Sequence, residues 1–182
     1  MTEQAPSEKI LIVDDDPAFL DLLRAHLRSF GWPFEEARDG AEAAAKLRQR
    51  SFALVISDMK MPNLDGMGLL THVREHHPDV GVIITSGYGD TYTYSDVIQA
   101  GAIDFLAKPF FRDELEAKIN RAMREQAIFR ELNLLIKNLE RQLAEKNASI
   151  EELRGQLQDT AEKVKQLQAK TIMSTYGPHR IR

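Results

Sequence analysis

The chain has 182 residues, 43% of them hydrophobic and 29% charged, with a formal net charge of −4 at pH 7, enough to bury one sizeable core and leave a further segment over. It contains no cysteine, which excludes disulfides, thiolate metal sites and cysteine nucleophiles and agrees with a reducing interior. No apolar run approaches the roughly 20 residues that span a bilayer, and "MTEQAPSE" lacks the basic flank and apolar stretch of a secretion signal; a cytoplasmic protein without membrane attachment is expected.

Charge is divided unevenly. Residues 1–110 hold 10 Lys and Arg against 17 Asp and Glu, whereas residues 111–182 hold 14 against 11. The acidic part is a poor match for nucleic acid, and the tail mixes both signs in the manner of a solvated helix. Direct nucleic-acid binding is not expected.

In chain order, "ILIV" (10–13) reads as a strand buried on both faces, the pattern of a parallel sheet. A helix follows from Pro17 to Phe30, stopped by Gly31, and a weaker strand fits "PFEEA" (33–37). Asp39 is a plausible N-cap for a helix to Arg50. "ALVI" (53–56) is the next strand, then a helix from Asp65 to His76 stopped by Pro78, then "VII" (82–84). A helix near Thr91–Ala100 ends at Gly101, and "AIDFLA" (102–107) supplies a fifth strand. Five strand-then-helix units imply an α/β fold, an open, doubly wound parallel sheet with right-handed crossovers.

Ligands bind such sheets at the carboxyl ends of their strands. The first strand ends at Asp14 and Asp15, the third at Asp58, the fourth at Thr85 and Ser86, and Lys108 and Pro109 follow the fifth. Three carboxylates, a hydroxyl and an ammonium should therefore converge. Two like charges about 4 Å apart repel by roughly 4 kcal/mol at a surface-like dielectric, and a hard divalent cation with oxygen ligands, Mg²⁺ first among them, makes such a cluster tolerable.

The segments "LIVDDD", "ISDMKMPNLDG", "ITSGYGD" and "AGAIDFLAKPF", in this order, make residues 8 to about 125 resemble the receiver domain of two-component response regulators. The resemblance implies a flavodoxin-like sheet in the order 2-1-3-4-5, Asp58 as phosphoacceptor, Asp14 and Asp15 as metal holders and Lys108 as a contact to the phosphoryl group. It further implies Phe105 as an aromatic switch, and the separations of 28 residues from Asp58 to Ser86 and 22 from Ser86 to Lys108 select Ser86 over Thr85 as the switch hydroxyl. One Mg²⁺ per domain would take oxygens from Asp15, Asp58, the Lys60 carbonyl and the phosphoryl group, with Asp14 acting mainly through water. A sensor histidine kinase is the implied phosphoryl donor, and no enzymatic activity is implied beyond self-catalysed phosphotransfer and autodephosphorylation.

A carboxylate such as Asp58 can attack a phosphohistidine in line if the phosphoryl oxygens are neutralised. Asp16 is expected to face outward at the first helix, with Pro17 in its opening turn. Phe105, lacking a hydroxyl, is expected to bias the resting state partly toward the active form. Lys60 and Tyr88, each two residues beyond a site residue, either slow hydrolysis by bulk or simply face solvent.

Other motif readings are weaker. "DDDPA" approaches the nucleophile loop of haloacid-dehalogenase-type phosphatases, but Ala18 stands where that loop wants Thr or Val. His72 and His76, four apart, lack the glutamate placement of HExxH and a third ligand, and read as an exposed helical face.

From Phe129 onward, apolar residues recur in alternating steps of three and four: Phe129, Leu132, Ile136, Leu139, Leu143, then Ile150, Leu153, Leu157, Val164 and Leu167. With Phe129 at a, Lys146 and Thr160 interrupt the d positions, and Ile or Val at a beside mostly Leu at d favours a parallel two-stranded coiled coil. No proline intervenes between Arg112 and Thr171, so the domain's last helix is expected to run on into the coil. The expected organisation is a disordered 1–7, a receiver domain over 8–125, a coiled-coil helix over 126–173 and a flexible tail over 174–182. Homodimerisation through the coil and an unidentified downstream protein follow as expectations. The alternative is the sensory half of a longer regulator, a transcription factor or a cyclic-dinucleotide enzyme, cut at its signalling helix.

Overall fold

The aliphatic runs of the sequence become the centre of a five-stranded parallel sheet. The computed structural model describes residues 9–87 and 92–176, with side chains as far as Met173. The expectations for residues 1–7, for Tyr88 and for the tail beyond Met173 lie outside the described residues, or outside their side chains. The elements are β1 (Ile10–Val13), α1 (Pro17–Phe30), β2 (Phe34–Ala37), α2 (Gly40–Gln49), β3 (Leu54–Asp58), α3 (Gly66–His76), β4 (Gly81–Ser86), α4 (Tyr94–Gln99), β5 (Asp104–Ala107) and α5 (Arg112–Tyr176). The strand order is β2-β1-β3-β4-β5 with every neighbour parallel, the order that the resemblance to receiver domains implied.

Successive strand residues point to opposite faces, and the core divides accordingly. Leu11, Val13, Val55, Val82 and Ile84 pack with α2, α3 and Val97 of α4. Ile10, Ile12, Leu54, Ile56 and Ile83 pack on the other face with Leu20, Leu23 and Leu27 of α1 and Leu115, Ile119 and Ala122 of α5. Each fully buried aliphatic side chain contributes about 1.5–3 kcal/mol. Because β1, β3 and β4 are covered on both faces, they show no alternation in sequence.

Helix starts follow the expected chemistry. The Asp16 carboxylate accepts the Ala18 amide at 2.9 Å, with Pro17 in the first turn. Asp39 accepts from the Glu42 amide and Asp65 from the Gly68 amide. Gly31 ends α1 with φ of 79°, a left-handed conformation that glycine adopts without strain. α4 is shorter than the sequence suggested: Thr93 and Asp96 form a reciprocal capping box that fixes its start at Tyr94.

Buried Asp104 anchors α5 to the sheet, its carboxylate 3.0 Å from Lys118 and 2.9 Å from Arg121. The structure divides into two units, Met1–Leu132 and Asn133–Arg182. In the second, α5 exposes Ile136, Leu139, Leu143, Ile150, Leu153, Leu157, Val164 and Leu167.

Of the two histidines of α3 that the sequence placed on an exposed face, His76 is exposed and His72 is not. His72 and the C-cap His77 are half-buried, and their Nε2 atoms are buried without a hydrogen-bond partner. The His76 ring stacks on His72 at 4.5 Å, and the His77 ring lies 5.9 Å from it. Burial first, then charge repulsion among the imidazoles and from Arg48, holds the pKa of His72 and His77 below the ordinary value of 6.5. The unfolded chain therefore binds protons near pH 6.5 that the folded chain still refuses. Stability contributed by these groups is complete above about pH 6.5 and is lost as pH falls from there toward the lower folded-state values. Urea denaturation between pH 7.5 and pH 5.5 should show this decline, and a His72→Gln, His77→Gln double variant should flatten it.

Candidate functional site

Parallel pairing brings the strand ends into one rim. Val13 pairs with Ser57 and Asp58 with Thr85, so the residues just past β1 and at the ends of β3 and β4 are neighbours, about 4.8 Å apart from strand to strand. Asp14 is buried, Asp58 nearly so and Asp15 exposed. One oxygen from each of the three lies within 4.8 Å of the others.

Lys108, just past β5, reaches into this cluster. Its Nζ lies 2.7 Å from Asp14 Oδ2 and 2.5 Å from Asp58 Oδ1, and the Lys108–Pro109 peptide is cis. Asp14 Oδ1 accepts the Asp16 amide at 2.9 Å, and Asp58 Oδ2 accepts the Lys60 amide at 3.1 Å. Burial pushes the Asp14 pKa up, opposed by its hydrogen bonds from Lys108 and the Asp16 amide. The donor set is all oxygen, of the hard type that suits Mg²⁺, and its two buried carboxylates share a single ammonium. The residues present therefore fit a divalent cation.

The hydroxyls are arranged less simply than expected. Ser86 donates to the Gly87 carbonyl at 3.3 Å, while the Thr85 hydroxyl lies 3.5 Å from Asp58 Oδ1, at the limit of a hydrogen bond. Thr85 stands opposite Asp58 in the parallel register, one residue before the Ser86 that the sequence separations select as the switch hydroxyl. Phe105 is half-buried against the α2–α4 side of the core, and Tyr94 meets it edge-on at 6.1 Å. The Lys60 side chain is exposed.

The loop from β3 to α3 is fixed close to Asp58. The Gly66 amide donates to the Met59 carbonyl at 2.9 Å, and a Cβ at Gly66 would collide with the Asp58 carbonyl oxygen. Only glycine lets α3 start this near the acidic rim.

The model of the response regulator receiver domain family matches residues 10–120. The chain belongs to this family. The receiver domain is similar to the transcriptional regulatory protein ZraR of Escherichia coli O157:H7, 34% identical over 114 residues that make up 63% of this chain and 26% of that protein. It is likewise similar to the transcriptional regulatory protein FixJ of Bradyrhizobium diazoefficiens, 37% identical over 119 residues, 64% of this chain and 57% of that protein. Among solved structures, a response regulator receiver domain protein from Clostridium thermocellum superposes with a TM-score of 0.64 at 30% identity, covering 68% of this chain and 99% of that one. The chain thus spans about a quarter of ZraR and little more than half of FixJ. The receiver domain is a signalling module of two-component systems, and its acidic cluster is the group of described residues able to hold a metal. No helix among the described residues is long and apolar enough to cross a membrane.

Proposed function

We propose that the receiver domain accepts a phosphoryl group on Asp58 from a phosphohistidine of a sensor histidine kinase. The supporting observation is the convergence of Asp14, Asp15, Asp58 and Lys108, drawn from three strand ends far apart in sequence. An Asp58 carboxylate oxygen attacks phosphorus in line; the phosphorus–nitrogen bond breaks, an acyl phosphate forms, and the imidazole leaves with its electron pair and takes a proton from water. Lys108 is already placed on Asp58 Oδ1 and neutralises negative charge on the phosphoryl oxygens. Asp14, Asp15, Asp58 and the Lys60 carbonyl would hold one Mg²⁺, which when bound supplies further neutralisation of those oxygens.

Ser86 and Phe105 carry the response. Ser86 turns from the Gly87 carbonyl toward the phosphoryl group, and Phe105 moves inward, changing the surface around Tyr94 and α4. α4 suits such a change: it has six residues and one buried side chain, Val97. Autodephosphorylation resets the domain. The phosphatase reading of "DDDPA" gives way to the family assignment.

The helix beyond residue 126 pairs with a second copy in a parallel coiled coil in the cytoplasm, and the dimer engages a downstream protein. Its exposed seam supports this: Leu143, Leu153, Leu157 and Leu167 are each more than 60% exposed in the single chain, and pairing seam to seam would remove them from water. A second reading is favoured by the relatives, named transcriptional regulators, of which this chain spans only part. In that reading the coil relays the signal to a nucleic-acid-binding output.

Acetyl phosphate with Mg²⁺ should add the mass of one phosphoryl group to the intact chain, and Asp58→Asn should abolish the addition. An unchanged wild-type mass contradicts the phosphoacceptor reading. Sedimentation at tens of micromolar should give a dimer that Leu143→Asp and Leu153→Asp convert to monomer; a wild-type monomer contradicts the coil.

A further inference from the structure

The Lys108 ammonium meets three groups, and the third is an aromatic face. A lysine ammonium has three N–H donors, and Asp14 and Asp58 take two of them. The centroid of the Phe19 ring also lies 3.7 Å from Nζ, well inside the roughly 6 Å reach of a cation–π contact. Phe19 is half-buried against the core face shared by α1 and α5. Phe110 braces it, edge-on, at 5.5 Å between centroids and 83° between planes. The segment after β5 thus carries both the ammonium and the ring that fixes its aromatic support.

We infer that Phe19 is a positioning residue for phosphoryl acceptance, acting through Lys108; this rests on Asp58 being the phosphoacceptor. Lysine ends in a strongly hydrated point charge on a flexible four-carbon stem. The ring lies against the ammonium, keeps water off that side and confines Nζ to where Asp14 and Asp58 lie. The ammonium then meets incoming phosphoryl oxygens without first shedding water or changing rotamer. An aliphatic side chain of similar size would fill the same space between α1 and α5 but offers no negative ring face to the cation.

The test compares Phe19→Leu with Phe19→Tyr in the full chain. Acyl phosphate formation from acetyl phosphate and Mg²⁺ is followed by intact mass, and the ε-methylene protons of Lys108 are followed by NMR. In wild type and Phe19→Tyr these protons should show the upfield displacement of a ring current, and the two proteins should be phosphorylated at similar rates. Phe19→Leu should lose that displacement and react about fivefold more slowly while its melting temperature stays close to wild type. If Phe19→Leu does not fold, Phe19→Met, unbranched and of similar volume, takes its place. A Leu variant as fast as wild type overturns the inference, as do Leu and Tyr variants that are equally slow. Wild-type protein that takes up no phosphoryl group overturns the Asp58 reading itself, and the role of Phe19 with it.

Discussion

Two carboxylates at neighbouring strand ends, with one ammonium between them, set the terms for the rest of the molecule. Parallel strands lie about 4.8 Å apart, so Asp14, just past β1, and Asp58, at the end of β3, cannot avoid one another once those strands pair. At about 4 Å their repulsion amounts to roughly 4 kcal/mol at a surface-like dielectric, and both are largely removed from water. Lys108 offsets the repulsion by touching both. Its position depends in turn on β5 pairing with β4 and on α5, which Asp104 ties to the sheet through Lys118 and Arg121. The site's chemistry and the order of the strands are thus one constraint seen from two sides.

Much of this was legible in the sequence because it depends on local pattern. Unbroken aliphatic runs announced β1, β3 and β4; Asp39 marked the start of α2, and Gly31 the end of α1. The rim residues could be named because parallel strands all end on one edge. Contacts between distant segments were less legible. Lys108 could be placed with Asp14, 94 residues away, from the common edge of the strand ends, but nothing near either residue shows that the ammonium also meets Phe19. β2 looked weak because it is half-buried; its glutamates are held by Lys9, Arg24 and Arg50 from other parts of the chain. His72 looked as exposed as His76 because helical spacing places a residue on a face without saying what covers that face. α4 starts a few residues later than its sequence pattern suggests because the capping box of Thr93 and Asp96 sets its first turn.

The long helix depends on a different balance. Its first part, from Arg112, contributes Leu115, Ile119, Ala122 and Met123 to the core beside β1 and β3. Beyond Asn133 the same helix carries an apolar row, Ile136, Leu139, Leu143, Ile150, Leu153, Leu157, Val164 and Leu167, whose side chains are exposed. A lone helix of this kind exposes hydrophobic surface with no compensating gain, which is why pairing is the natural reading of the row. Lys146 and Thr160 interrupt the row and would weaken any pairing there.

The oxygens of this rim could hold a divalent cation even though Lys108 contacts two of the three carboxylates. Titration of the full chain with Mg²⁺, followed through the backbone amides of Asp15, Asp58, Met59 and Lys60 by NMR, tests it most directly. Saturable shifts centred on these amides are expected, greatly weakened in Asp15→Asn. Amides that stay unmoved through tens of millimolar Mg²⁺, or shifts that survive Asp15→Asn unchanged, would contradict it.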